Sequence, residues 1–261
     1  MHLVAVVSSD NDFSHALRGY HDDAGRFLLH LIPAGRPRDW VPALKALEFA
    51  GALVFDHNDQ GEALALADRS SLEASEAKAA DTLTVTQAGV VADYHVGRAV
   101  MQALRARVWD PRGAGAVVLG GGREAHSVAR ELASCGARHL TLLARSRPEA
   151  ERLVPRLAAS TDVLATVADD PISARFLEEA DLIVRTDRTL DVPSAVLGPH
   201  LTLVDLIPEA VSHLRRQALT SGALSLDRRD VDAHRLHIAL AHVLGAGISV
   251  EPLLQALLRD R

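Results

Sequence analysis

Short apolar runs alternate with stretches of helical period along the whole chain, which is the pattern of a parallel sheet covered by helices. Residues 3–7, Leu-Val-Ala-Val-Val, predict a first strand, residues 27–32 a second and residues 51–55 a third. Between the last two, Trp40, Leu44, Leu47 and Ala50 recur at helical spacing and predict a helix over 41–49. Residues 60–79, rich in Ala, Leu and Glu, read as one helix. Residues 82–85 and 90–93 read as short strands about a turn at Gln87-Ala88-Gly89, and 96–108 as a helix. The breaker cluster Asp110-Pro111-Arg112-Gly113 marks a domain boundary.

The second half repeats the alternation more regularly. Strands are expected at 116–119, 140–144, 163–167, 181–184, 201–206 and 223–226. Helices are expected after the glycine run to Cys135, then at 149–158, 209–220, 231–244 and 250–258. The expected class is therefore α/β. An N-terminal α/β substrate-binding domain (1–108) precedes a Rossmann-type, doubly wound domain (109–230), and C-terminal helices (231–261) pack back on the first domain.

Composition narrows the function. A net charge of -6 argues against a nucleic-acid partner, which needs a basic face. The 3% aromatic content leaves little for stacking bases and makes the core aliphatic. Cys135 is the single cysteine, so neither an internal disulfide nor a cysteine metal cluster can form. No apolar run approaches the roughly 20 residues that span a bilayer. The first residues lack a basic leader pattern, so the expected compartment is the cytoplasm. The expected partner is a small-molecule substrate, with neither nucleic acid nor membrane involved and a homodimer left open.

The strand ending at Leu119 runs into Gly120-Gly121-Gly122-Arg123-Glu124-Ala125, which fits G-x-G-x-x-A at Gly120, Gly122 and Ala125. The first glycine allows a tight turn, the second lets backbone approach a diphosphate, and the small third residue lets helix and strand pack. The following helix start offers free N–H groups and a positive dipole end. The alternative is a glycine-rich turn without a ligand. Glu124 is unwelcome beside a diphosphate unless it turns outward, and Arg123 could offset it. The next strand ends at Arg145-Ser146-Arg147, where cofactors lacking a 2′-phosphate would be met by an acidic residue. A guanidinium suits a 2′-phosphate, so the expected cofactor is NADP(H).

The segment from Val117 to Ser146 resembles the nucleotide half of shikimate dehydrogenases, with their Gly-Ala-Gly-Gly-Ala loop and Asn-Arg-Thr strand end. Asp181-Leu182-Ile183-Val184 and Val204-Asp205-Leu206-Ile207-Pro208 resemble that family's next strands. Gly51-Ala52-Leu53-Val54 is similar to its Gly-x-Asn-Val, and Gly97 to the glycine of its Asn-Thr-Asp-x-x-Gly. The resemblance implies an NADP(H)-dependent oxidoreductase acting on a small anionic hydroxy or keto compound.

The family's catalytic pattern is not matched. Its lysine position falls at Asp59 and its aspartate at Tyr94, with Asp93 adjacent and Ala92 in place of an asparagine. The other substrate asparagine matches Asp81. The Asn-Ala-Thr-Pro loop becomes Arg185-Thr186-Asp187-Arg188, and the Gly-Leu-x-Met-Leu segment becomes Arg228-Arg229-Asp230-Val231-Asp232. The substrate is therefore expected to differ from shikimate.

The replacement acid/base candidates are Tyr94, His95 and Asp59. Ser14 is the best candidate for the family's carboxylate-holding serine, with Asp81 and Arg235 as further substrate contacts; Arg235 falls at the family's glutamine and suits an anion. The same helix carries His234, His237 and His242. The polar run Asp56, His57, Asp59 lacks further ligands at metal spacing, so no metal is expected. A non-redox or inactive descendant, serving as a lyase, isomerase or small-acid-binding module, is the alternative. A glutamyl-tRNA reductase or ornithine-cyclodeaminase relative would share only the nucleotide half.

Overall fold

Buried residues 4–7 of the first strand point alternately into two separate cores, which explains their unbroken apolar run. The computed structural model describes residues 1–9, 12–17, 20, 25–152, 154, 157, 161–208, 213–245, 249, 252, 255 and 257. The chain divides into two units, Met1–His95 with Ala233–Arg261, and Val96–Asp232.

The first unit begins with β1 (His2–Ser8), α1 (Asp12–Leu17), β2 (Phe27–Pro33), α2 (Pro37–Ala46) and β3 (Phe49–Val54). It continues with α3 (His57–Ala65), β4 (Arg69–Ser70), α4 (Leu72–Ala77), β5 (Thr82–Thr86) and β6 (Gly89–Asp93). The sheet order is β2-β1-β3-β5-β6-β4. β1, β2 and β3 run parallel, while β5 is antiparallel to both β3 and β6. Val4, Val6 and Leu53 face one core with Leu17 of α1 and with Ala233, Leu236, Ala239, Leu240 and Val243 of a C-terminal helix. Ala5, Val7, Ala52 and Val54 face the other core, with Trp40, Val41 and Leu44 of α2 and Ala63 of α3. The C-terminal helix thus supplies part of this core.

The second unit comprises α5 (Val96–Ala106), β7 (Gly115–Leu119), α6 (Arg123–Ser134), β8 (His139–Ala144), α7 (Arg147–Glu151) and β9 (Asp162–Val167). It continues with α8 (Ile172–Glu178), β10 (Leu182–Arg185), β11 (Thr202–Asp205), α9 (His213–Thr220) and β12 (Leu224–Asp227). The final described helix, α10 (Arg228–Leu244), starts here and continues into the first unit. All strands pair parallel in the order β12-β11-β10-β7-β8-β9. The order reverses between β7 and β10, the crevice where doubly wound sheets bind ligands.

Four features differ from the expectations. The single helix at 60–79 is two helices with β4 between them. Asp68 breaks it by accepting the Val90 amide at 2.7 Å, and Ser71 then caps α4 through the Ala74 amide at 3.2 Å. The helix at 41–49 starts earlier, at Pro37, and gives way to β3 at Phe49. Helix α8 has no counterpart in the sequence reading. Helix α5, assigned by sequence to the first domain, clusters with the second unit. Its Gly97 explains why: a Cβ there would stand 2.3 Å from the Ser127 carbonyl oxygen of α6. The expected helix at 250–258 lies largely outside the described residues, as do parts of those at 149–158 and 209–220. Among the described residues no helix is long and apolar enough to cross a membrane.

Candidate functional site

In the second unit, β7 ends at the glycine loop. Gly120 has φ +136°, and a Cβ there would lie 2.1 Å from Thr186 Oγ1, so geometry and space both require glycine. Thr186 in turn donates its amide and its hydroxyl to the Leu119 carbonyl, at 2.8 and 2.9 Å. Gly122 is the N-cap of α6, without a side-chain cap, and a Cβ there would meet nothing within 4 Å. Ala125 is fully buried in the next turn. A helix start with no side-chain cap and open space at Gly122 fits the approach of a diphosphate. Arg123 opens α6 and is half-buried.

Glu124 does not turn outward. It is buried, and Arg228 Nη1 donates to its Oε1 at 2.6 Å. Arg228 also reaches Asp232 Oδ2 at 3.0 Å and the Leu206 carbonyl at 3.3 Å. Burial works against the Arg228 charge, but the carboxylates of Asp232 and Glu124 outweigh it and hold its pKa above the ordinary value. The acidic residue in the loop is thus neutralised from within, which removes the expected conflict with an anion.

Arg145, Ser146 and Arg147 follow β8. Arg145 is exposed and meets two carboxylates: Asp187 Oδ2 at 3.1 Å from Nε, and Glu149 Oε1 at 3.5 Å from Nη2. Ser146 is the N-cap of α7, and Arg147 pairs with Glu151 at 2.8 Å. Glu149 also lies against the glycine loop, since a Cβ on Gly121 would stand 2.0 Å from its Cγ. Asp187 accepts from the Thr189 amide and hydroxyl at 2.9 and 2.7 Å. Burial alone would raise the Asp187 carboxyl, but those hydrogen bonds and the charges of Arg145 and Arg185 bring it below its ordinary value. Arg185, buried at the end of β10, faces Asp205 at 3.6 Å and donates to the Leu190 and Arg188 carbonyls at 2.7 and 2.8 Å. It therefore fixes the loop that carries Asp187.

In the first unit, a polar cluster gathers at the ends of β5 and β6. Asp81, just before β5, is 3% exposed and accepts the His95 amide at 2.9 Å and the Thr82 hydroxyl at 3.0 Å. Asp93, the last residue of β6, meets His242 Nε2 of α10 at 2.9 Å. The His95 and His242 rings are 5.4 Å apart at 57°. Burial would raise the Asp93 carboxyl, but hydrogen bonds from His242 and Ser71 and the charges of His242 and His95 lower it overall. Tyr94 and His95 are each 1% exposed, so both belong to the interior of the structure.

Arg235 is buried on α10 one face-repeat before His242, with its guanidinium 4.3 Å above the Phe55 ring. Ser14 is buried on α1. Asp59 is occupied differently. Its Oδ2 accepts the Gly35 amide at 2.7 Å and so ties the start of α3 to the loop before α2. Burial pushes its carboxyl above the ordinary value, the Gly35 amide opposes this, and the Asp56 and Glu62 charges add to it. Asp56 caps α3 through the Asn58 amide at 2.9 Å and accepts the Ser9 hydroxyl. Among the described residues no group of His, Cys, Asp and Glu is arranged to hold a metal.

The structure thus brings together Asp81, Asp93, His95 and His242. Of these, Asp81 and His95 are site candidates by sequence and His242 is not. The available signal was its spacing of seven from Arg235, two helical turns along one face.

No protein-family model matches the chain. It is 28% identical over 242 residues to a shikimate dehydrogenase (NADP(+)) of Symbiobacterium thermophilum, spanning 87% of this chain and 81% of that protein. It is 29% identical over 147 residues to a shikimate dehydrogenase (NADP(+)) of Desulforamulus reducens, spanning 51% of this chain and half of that protein's length. Among solved structures, the 5-ketofructose reductase of Gluconobacter sp. strain CHM43 superposes with a TM-score of 0.81 at 20% identity, covering 100% of this chain and 99% of that one. The quinate dehydrogenase of Corynebacterium glutamicum in complex with NAD superposes with a TM-score of 0.80 at 16% identity, covering 99% of each chain. Over most of its length the chain is thus similar in sequence to a shikimate dehydrogenase, and its fold is the one these solved structures share.

Proposed function

We propose that this protein is an NADP(H)-dependent oxidoreductase that interconverts the hydroxy and keto forms of a small anionic compound other than shikimate. The observation that carries the reading is the glycine turn ending in an open, uncapped helix N-terminus at Gly122. Its acidic neighbour Glu124 is already neutralised by Arg228. Arg145 supplies a cation where a 2′-phosphate would arrive, and the two curated relatives are named for NADP(+).

Gly120 makes the turn, Gly121 leaves room for Glu149, and Gly122 gives backbone approach to the diphosphate; Arg123 and the α6 N-terminus add positive potential, and Ala125 keeps α6 close to β7. Ser146 and Arg147 complete the adenosine side. Bound there, the nicotinamide would accept hydride from a carbinol or return it to a carbonyl.

The chain's own residues handle the proton and the substrate. As the C–H hydride leaves, the hydroxyl proton must go to a base. His95 is the proposed base, because Asp81 fixes its backbone and the His242 ring lies 5.4 Å away. Asp93 orients His242, and the proton passes outward through this side chain, which is 40% exposed. Asp59 stands at the family's lysine position, and its raised carboxyl is an alternative proton acceptor, although its bond to Gly35 ranks it behind His95. Arg235 provides a two-pronged donor for a substrate carboxylate, with Ser14 as its partner.

The test is oxidation of a panel of small hydroxy acids with NADP+, followed by the absorbance of reduced nicotinamide. Turnover of at least one acid is expected, falling by roughly 10²–10⁴-fold in His95→Gln. A second reading, a binding module without redox chemistry, draws on the two carboxylates that already hold Arg145. Tight NADP(H) binding with no turnover across the panel would favour it.

A further inference from the structure

The adenosine end of the glycine loop contains an anion of the protein's own. Glu149, from the short helix α7, lies across Gly121: its Cγ, Cδ and Oε1 stand 2.0, 2.6 and 2.8 Å from where a Cβ on that glycine would be. The same carboxylate reaches Arg145, which Asp187 contacts from the opposite loop. One guanidinium thus faces two carboxylates, of which Asp187 is also within the field of Arg185. Both acids are sheltered, with side chains 14% and 19% exposed, while Arg145 is 59% exposed. Their pull on Arg145 is therefore screened less by water than a pair on the open surface would be.

The two acids are not equivalent. Asp187 is fixed by two hydrogen bonds from Thr189 and lies 3.1 Å from Arg145. Glu149 is more distant, at 3.5 Å, and hangs from a helix of five residues. Glu149 is thus the acid that can swing away, and it is also the one that touches the glycine loop.

We propose that Glu149 is a specificity-determining residue of the nucleotide site, a resident carboxylate that competes with the 2′-phosphate of NADP(H) for Arg145. The proposal rests on the dinucleotide reading above. A 2′-phosphate brings about two negative charges and needs the guanidinium released. A cofactor with a free ribose hydroxyl needs no such release and can donate a hydrogen bond to the carboxylate. Glu149 therefore narrows the preference for NADP(H) that Arg145 would otherwise create.

The test is equilibrium binding of NADP+ and NAD+ by calorimetry, with no turnover required. Glu149→Gln is expected to tighten NADP+ about tenfold or more and to change NAD+ by less than about twofold. In the Arg145→Met background the same substitution is expected to have no effect on NADP+, because the competition has lost its object. Unchanged or weaker NADP+ binding by Glu149→Gln would overturn the role of Glu149 while leaving the cofactor site standing. So would a tightening that persists without Arg145. If neither wild type nor variant takes up either dinucleotide, the cofactor reading itself falls, and this inference with it.

Discussion

Two residues with opposite neighbourhoods show how charge is managed. Arg228 is buried between Glu124 and Asp232. Removing one partner of such a buried network leaves an uncompensated charge and costs about 3–5 kcal/mol. Arg228→Met should therefore lower stability by about that amount, read from urea unfolding. Glu124→Gln keeps a hydrogen-bond acceptor and leaves Asp232 to balance Arg228, so it should cost markedly less. Equal losses in the two variants would contradict this division. Asp93 is held below the usual carboxylate value of 3.8. A lowered folded-state value means a stability contribution fully present above 3.8 and lost as pH falls through the folded value. His242, His95 and Ser71 are the groups that face it. Asp93→Asn should flatten the acid limb of the thermal-unfolding profile below about pH 4. An unchanged acid limb would show that His242 does not stabilise the charge.

At the scale of elements, turns and close approaches decide the outcome more than hydrophobic periodicity does. Gly120→Ala meets both a positive φ and the Thr186 hydroxyl, so a loss of about 2–4 kcal/mol is expected from backbone strain and crowding together. Gly122→Ala meets open space at an extended backbone, so it should fold normally and impair only the approach of an anion. A dinucleotide that bound Gly122→Ala as well as wild type would place the diphosphate elsewhere. Except for β4, the strands of both sheets were legible because their apolar runs are bounded by glycine, proline or acidic residues. The break at 66–71 was not, because Asp68 and Ser71 act through amides that only the folded chain brings near. Helix α8 was hidden for a similar reason: its start is organised by Asp170, which accepts the Ile172 amide, within a stretch of weak periodicity.

At the scale of the whole molecule, the first unit is assembled from both ends of the chain. Leu236 and Leu240 of α10 are fully buried against Val4, Leu29 and Leu53. Leu240→Ala should cost about 2–5 kcal/mol, measured by denaturant unfolding, and a loss near zero would contradict the packing described. The return of α10 also delivers Arg235 and His242 to the unit that holds Asp93 and His95. That convergence was only half legible: counting along the family pattern leads to Arg235 and to Tyr94, the neighbour of His95, but a pairing across 149 positions, Asp93 with His242, leaves no trace in local spacing. The nucleotide half was readable because its signals are local: the glycine run, the helix behind it and the basic strand end all lie between Gly120 and Arg147.

The central claim is that the turn from Gly120 to Gly122 seats the diphosphate of a dinucleotide. A calorimetric titration of the wild-type protein with NADPH tests it most directly. Saturable binding at one site per chain, abolished by Gly122→Glu with folding preserved, is the predicted result. No heat of binding up to millimolar NADPH, or binding indifferent to that substitution, would contradict it.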